Sequence, residues 1–118
     1  MKKILVAEDN DSNFILMSYI LKKYYQYDRA KNGKEAVEKV EQGGFDLVLM
    51  DIKMPVMDGL EATKQIKASH PDLPVIALTA NAFDSDRALA LEAGCNDFLS
   101  KPVSGEACIS AIKKNLGE

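Results

Sequence analysis

The stretch "FDLVLMDIKMPVMDG", Phe45–Gly59, carries the reading of the fold. Its run "LVLM" is apolar without alternation, the pattern of a strand covered on both faces. The run stops at Asp51 and enters a loop of Lys, Met, Pro and Gly. Aspartate favours turns, so the carboxylate could simply mark a strand end. It could equally be held at a sheet edge to do chemistry, and one residue does not decide between the two.

Outward from this stretch, short apolar runs alternate with longer amphipathic ones. On the N-terminal side, "KILVA" (Lys3–Ala7) reads as a buried strand. "DSNFILMSYILKKYY" places Leu16, Ile20 and Tyr24 at helical spacing, with N-cap candidates between Glu8 and Asn13. "YDRA" (Tyr27–Ala30) is a short, rather polar strand. "NGKEAVEKVEQGG" is a helix with Asn32 as its cap, Glu35 at the capping-box position and Gly43–Gly44 as its stop. On the C-terminal side, Asp58 caps a helix, "GLEATKQIKAS", with Leu60, Thr63, Ile66 and Lys67 in one stripe. "PVIALTA" is another buried strand, ending at Thr79, and "DSDRALALEAG" a helix capped by Asp84 or Ser85. Asp97–Ser100 is a short strand, and "VSGEACISAIKKNL" the last helix, with Ser104 and Ala107 framing its first turn.

Five strands in strict alternation with five helices predict an α/β fold: a single doubly wound, five-stranded parallel sheet, flavodoxin-like. The expected strand order is 2-1-3-4-5, with the third strand central. One domain accounts for residues 1–118.

Composition narrows the function. Hydrophobic residues make up 47% and charged ones 28%, the balance of a globular chain with a real core. The net charge of −3 argues against direct binding of nucleic acid, whose phosphates want a basic face. The pairs Lys22–Lys23 and Lys113–Lys114 fit helix ends, where cations suit the macrodipole. Cys95 and Cys108 lack a CxxC spacing, so reduced packing thiols in a cytosolic compartment are expected. The apolar run after Met1 is too short for a signal segment, and no stretch approaches the ~18 apolar residues of a membrane helix. Membrane insertion of this domain is therefore not expected.

In an open α/β sheet, ligands bind beyond the carboxyl ends of the strands, where the strand order reverses. Here strand one ends on Glu8–Asp9, strand three on Asp51, strand four on Thr79 and strand five just before Lys101. Three carboxylates, a hydroxyl and an amine should share one rim. Like charges ~4 Å apart repel by roughly 4 kcal/mol at an effective dielectric of ~20. Lys101 offsets part of that, and a hard divalent cation such as Mg²⁺, bound by carboxylates and waters, would offset the rest. Asp51 could then act as a nucleophile towards phosphorus, with Mg²⁺, Lys101 and Thr79 around the transferred oxygens. Singly, each residue is more simply a turn-former, a helix-start acid, a strand-end hydroxyl or a surface lysine. Their joint placement on one rim is what favours chemistry.

"LVAEDN", "DLVLMDIKMPVMDG", "PVIALTA" and "DFLSKPV" together resemble the receiver domain of two-component response regulators, over essentially the whole chain. In style they are closest to receivers of hybrid sensor kinases and phosphorelays. The resemblance implies that Asp51 is the phosphoacceptor. It implies that Asp9 and Asp51 bind Mg²⁺ directly, with the Lys53 backbone carbonyl as a third ligand and Glu8 acting mostly through water. Thr79 matches the switch hydroxyl, Lys101 the phosphate-contacting amine and Phe98 the switch aromatic. Pro102 matches the family's proline after that lysine, often preceded by a cis peptide bond. The implied donor is a histidine kinase or histidine phosphotransfer protein, docking near the first helix. The implied readout face holds the fourth helix, fifth strand and fifth helix, with Ala88, Ala90, Leu91, Val103 and Ile109, and allows a phosphorylation-dependent dimer. The implied role is cytoplasmic signalling rather than metabolic catalysis, in a stand-alone receiver or in part of a membrane-anchored hybrid kinase.

Three positions depart from the family pattern. Glu8 stands where many members have Asp, Tyr24–Tyr25 where helix one often ends on Gly, and Arg29 in a strand that is often apolar. An edge strand tolerates such a charge. Three rival functions fit less well. A flavin site needs a phosphate cradle after strand one, where this chain has "AEDND". An Asp-nucleophile phosphatase needs an acid at position 53, which is Lys, and room for a cap insertion. A receiver-like module that is never phosphorylated would not require the full set Asp9, Asp51, Thr79 and Lys101. The resemblance implies that Lys53 and Asn81 flank the path of attacking water, and His70 reads as a solvated turn residue.

Overall fold

The computed structural model describes residues 1–53, 56–79, 84–101 and 103–118, with only the backbone of residues 84–86. Strands β1 (Lys3–Ala7), β2 (Gln26–Ala30), β3 (Leu47–Asp51), β4 (Val75–Thr79) and β5 (Asp97–Ser100) alternate with five helices. These are α1 (Asp11–Leu21), α2 (Gly33–Gln42), α3 (Gly59–Ser69), α4 (Asp84–Ala93) and α5 (Gly105–Leu116). All strand pairs are parallel, in the order β2-β1-β3-β4-β5. The expected topology and the central place of β3 both hold.

The unbroken apolar runs have the expected cause: β3 and β4 are buried at every position. Alternate side chains feed two cores. Ile4, Val6, Leu47, Leu49, Ile76 and Leu78 pack with Met17 and Leu21 of α1 and Cys108 and Ile112 of α5. Leu5, Ala7, Val48, Met50, Val75 and Ala77 face Ala36, Val40, Ala62, Ile66 and Ala90 of α2, α3 and α4.

Local capping chemistry sets the helix starts. The side chains of Asn10, Asn32, Asp58 and Ser104 accept the backbone N–H three residues on, which satisfies donors the helix leaves orphaned. The cap of α4 falls outside the described residues, and Asp84 is itself the helix's first residue. Helix α1 stops at Leu21, short of the tyrosines, where the N–H groups of Tyr24 and Tyr25 both donate to the Leu21 carbonyl. Its buried residues are Met17 and Leu21, while Leu16 and Tyr24 are exposed. Pro102 and Asn81 lie outside the described residues.

Two glycines let the loop after β3 close onto the sheet. Gly59 N–H donates to the Ile52 carbonyl at 2.8 Å, and Gly33 N–H to the Met57 carbonyl at 3.0 Å. A Cβ at Gly59 would overlap the Asp51 carbonyl, and one at Gly33 the Met57 carbonyl. These contacts bind the loop beyond Asp51 to the start of α2 and seat the start of α3 beneath the strand end.

Candidate functional site

The carboxyl ends of β1, β3, β4 and β5 meet around a cavity of about 230 Å³, lined by Glu8, Asp9, Asn10, Asn13, Asp51, Ile52, Lys53, Leu78, Thr79 and Lys101. The five rim residues expected from the strand ends therefore lie together, with Lys53, which the resemblance adds, beside them. One carboxylate oxygen from each of Glu8, Asp9 and Asp51 lies within 4.8 Å of the other two, an arrangement able to hold a metal ion. Phe98 stands apart, half-buried on β5 against the α2–α3–α4 core.

Burial separates the three acids. Asp9 is exposed, Asp51 is 6% exposed and Glu8 only 1%. Lys101 Nζ bridges the two buried ones, 3.1 Å from Asp51 Oδ2 and 3.4 Å from Glu8 Oε2. Asn13 Nδ2 donates to Glu8 Oε1 at 2.9 Å, and Lys53 N–H makes a long 3.4 Å bond to Asp51 Oδ1.

One ammonium does not neutralise this group. Burial, reinforced by the facing Asp51 carboxylate, pushes Glu8 up to about 7 against the opposing pull of Asn13 and Lys101. Burial alone would lower Lys101, but its bonds and charge contacts with Asp51 and Glu8 more than offset this and hold it above the usual lysine range. Thr79 is 2% exposed, and its hydroxyl has no hydrogen-bond partner among the described residues. An unpaired buried hydroxyl is costly and calls for a ligand atom. The donor set is all oxygen, in excess negative charge, with an orphan hydroxyl beside it. It fits a hard cation together with an oxyanion.

Two neighbours of this rim escaped the sequence reading. Asn13 was a cap candidate, yet it holds Glu8 while Asn10 caps the helix. Arg29 was an edge charge, yet its Nε donates to the Glu8 carbonyl at 3.1 Å. His70, partly exposed just past the end of α3 as expected, adds contacts the sequence does not signal. Its Nδ1 lies 3.1 Å from Ser69 Oγ and 3.6 Å from Glu41, which reaches it from α2. No spacing in the sequence signals these pairings between elements. On the face formed by α4, β5 and α5, Ala90 is buried, Val103 and Ile109 are partly buried, and Ala88 and Leu91 are exposed.

Comparison with known proteins adds three relatives. Hybrid signal transduction histidine kinase M of Dictyostelium discoideum is 44% identical over 94% of this chain, which spans only 5% of that protein's length. The Saccharomyces cerevisiae Ssk1 receiver domain, solved in a co-crystal with the histidine phosphotransfer protein Ypd1, superposes with a TM-score of 0.91. It is 36% identical, over 96% of this chain and 87% of that one. The receiver domain of the Pseudomonas aeruginosa sensor histidine kinase PA1611, with a magnesium ion in its active-site cleft, gives a TM-score of 0.92 at 36% identity. That match covers 99% of this chain and 98% of the other. The response regulator receiver domain pattern matches residues 4–113, from the first strand into the last helix, and the chain belongs to that family.

Proposed function

We propose that residues 1–118 form a phosphorelay receiver that takes a phosphoryl group from a partner phosphohistidine onto Asp51. The observation that carries this reading is the Lys101 ammonium 3.1 Å from Asp51 Oδ2, in a cavity also lined by Glu8, Asp9 and Thr79. Asp9, Asp51 and the Lys53 carbonyl would hold Mg²⁺, with Glu8 acting through water. When bound, the ion neutralises charge on the phosphoryl oxygens.

The buried wall of the site keeps Asp51 in one orientation as the donor approaches. An Asp51 oxygen forms the new O–P bond as the N–P bond breaks, and the leaving imidazole nitrogen keeps the electron pair. Lys101 stays against the charge that collects on the phosphoryl oxygens. Thr79 hydrogen-bonds one of those oxygens once the group is attached, which gives its orphan hydroxyl a partner. Moving towards that oxygen, Thr79 leaves space behind it for Phe98 to enter from its half-buried position, which alters the α4–β5–α5 face. Hydrolysis of the acyl phosphate by water resets the site.

The donor would be a histidine kinase or a histidine phosphotransfer protein. Ile15, Leu16 and Tyr19 of α1, exposed at 53%, 47% and 62%, suit a helical partner docking beside the rim. Reduced, buried Cys95 and Cys108 suit a cytoplasmic setting.

An amide NMR titration with beryllofluoride and Mg²⁺ tests this. Shifts spreading from Asp9, Asp51 and Lys101 to Thr79 and Phe98 support the reading. Shifts confined to the rim remove the switch, and no shifts remove the site.

A further inference from the structure

We propose that Arg29 is a positioning residue, whose guanidinium ties the loop carrying Glu8 and Asp9 to β2 and so sets cation affinity at the acidic rim. The proposal rests on the reading of that rim as a cation site.

β1 and β2 stay in register as far as Ala7 opposite Ala30, and the last backbone bond between them runs from Glu8 N–H to the Ala30 carbonyl at 2.9 Å. Beyond that point β2 turns away towards α2. The carbonyls of Glu8 and Asp9 then accept no backbone N–H among the described residues, and the Arg29 side chain takes that place. Its Nε donates to the Glu8 carbonyl at 3.1 Å and its Nη2 to the Asp9 carbonyl at 3.3 Å. The same Nη2 lies 2.8 Å from Asp11 Oδ1, in the first turn of α1. The guanidinium also stacks 4.7 Å from the Phe14 ring, which meets Tyr27 edge-on at 6.1 Å. One planar fork thus ties the strand end, the acidic loop and the start of α1 to β2.

Edge-strand tolerance of charge would explain an arginine standing in water, but this side chain is only 17% exposed. Lysine could not reproduce the arrangement, because it is a point charge without a fork or a stacking plane. Groups that orient metal ligands through hydrogen bonds commonly change metal affinity by ~10–100-fold when removed.

The signs of the two explanations differ. If Arg29 acted only through its charge, removing it would tighten the binding of a dication, since like charges repel. If it acts as a brace, removing it weakens binding.

The test is a Mg²⁺ titration of the whole chain followed by amide NMR, for wild type, Arg29→Gln and Arg29→Lys. Amide hydrogen exchange at residues 8–13 is measured on the metal-free proteins, and urea unfolding separates a general loss of stability. The expected result is a Kd raised about tenfold in both variants. Exchange should speed up in the loop, and Lys should not rescue it despite keeping the charge. Unchanged or tighter Mg²⁺ binding in Arg29→Gln, with wild type binding normally, overturns the brace alone. Wild type failing to bind Mg²⁺ removes the cation site, and the proposal with it.

Discussion

Lys101 Nζ stands 3.1 Å from Asp51 Oδ2, joining residues 50 positions apart. The same ammonium faces Glu8, so one cation serves two buried carboxylates. Lys101→Met should therefore lower the stability of the metal-free protein at neutral pH. Leaving buried charge unpaired costs about 3 kcal/mol. Adding Asp51→Asn should recover most of this, since one of the facing charges is then gone. Urea unfolding of both variants checks it, and a Lys101→Met protein as stable as wild type would contradict it.

Gly59 lies against the backbone at the end of β3, where a Cβ would stand 2.8 Å from Ile52 Cα and overlap the Asp51 carbonyl. Backbone cannot yield as a flexible side chain can. Gly59→Ala should destabilise by about 3 kcal/mol, the upper end for overpacking. It should also disturb the amide signals of Asp51 and Lys53. A change under about 1 kcal/mol would show that α3 is more loosely seated than described.

Val56, in the loop beyond Asp51, has φ of 69° and is 79% exposed. A β-branched residue in the left-handed region is strained, by roughly 1–2 kcal/mol, and exposure brings no packing in return. Asparagine tolerates that conformation. Val56→Asn should raise stability by about 1 kcal/mol in a urea titration, and a loss of stability would contradict the strain.

Much of this fold was legible because its signals are local. Caps at Asn32, Asp58 and Ser104 depend on residues three apart, and the bounds of α3 and β5 follow from the sequence itself. The rim was legible because parallel strands end on one side. The buried face of α1 was harder. "DSNFILMSYIL" is apolar around most of its circumference, so the Leu16–Ile20 and Met17–Leu21 stripes look alike until the sheet selects the second. Burial of Glu8, its bond to Asn13 and the Arg29 contacts depend on tertiary reach. So does the Glu41–Ser69–His70 cluster, which joins α2 to the end of α3.

Alkali should weaken the fold through two buried acids. Burial pushes the Cys108 thiol up to about 12 from 9.0. Burial, with the hydrogen bond to Glu118, pushes Tyr25 up to about 12 from 10.0. Both groups ionise more readily when unfolded, so their contribution is complete below pH 9 and is lost as pH rises towards 12. Stability should fall across that window, with a shallower slope in Cys108→Ala. A flat profile would contradict the burial of these groups.

The proposed function stands on Asp51 as the acceptor of the phosphoryl group. Intact-mass spectrometry after incubation with acetyl phosphate and Mg²⁺ tests it directly. A single phosphoryl adduct is expected, labile to hydroxylamine as an acyl phosphate is, and absent from a folded Asp51→Asn protein. No adduct in the wild type, or an undiminished one in Asp51→Asn, would contradict it.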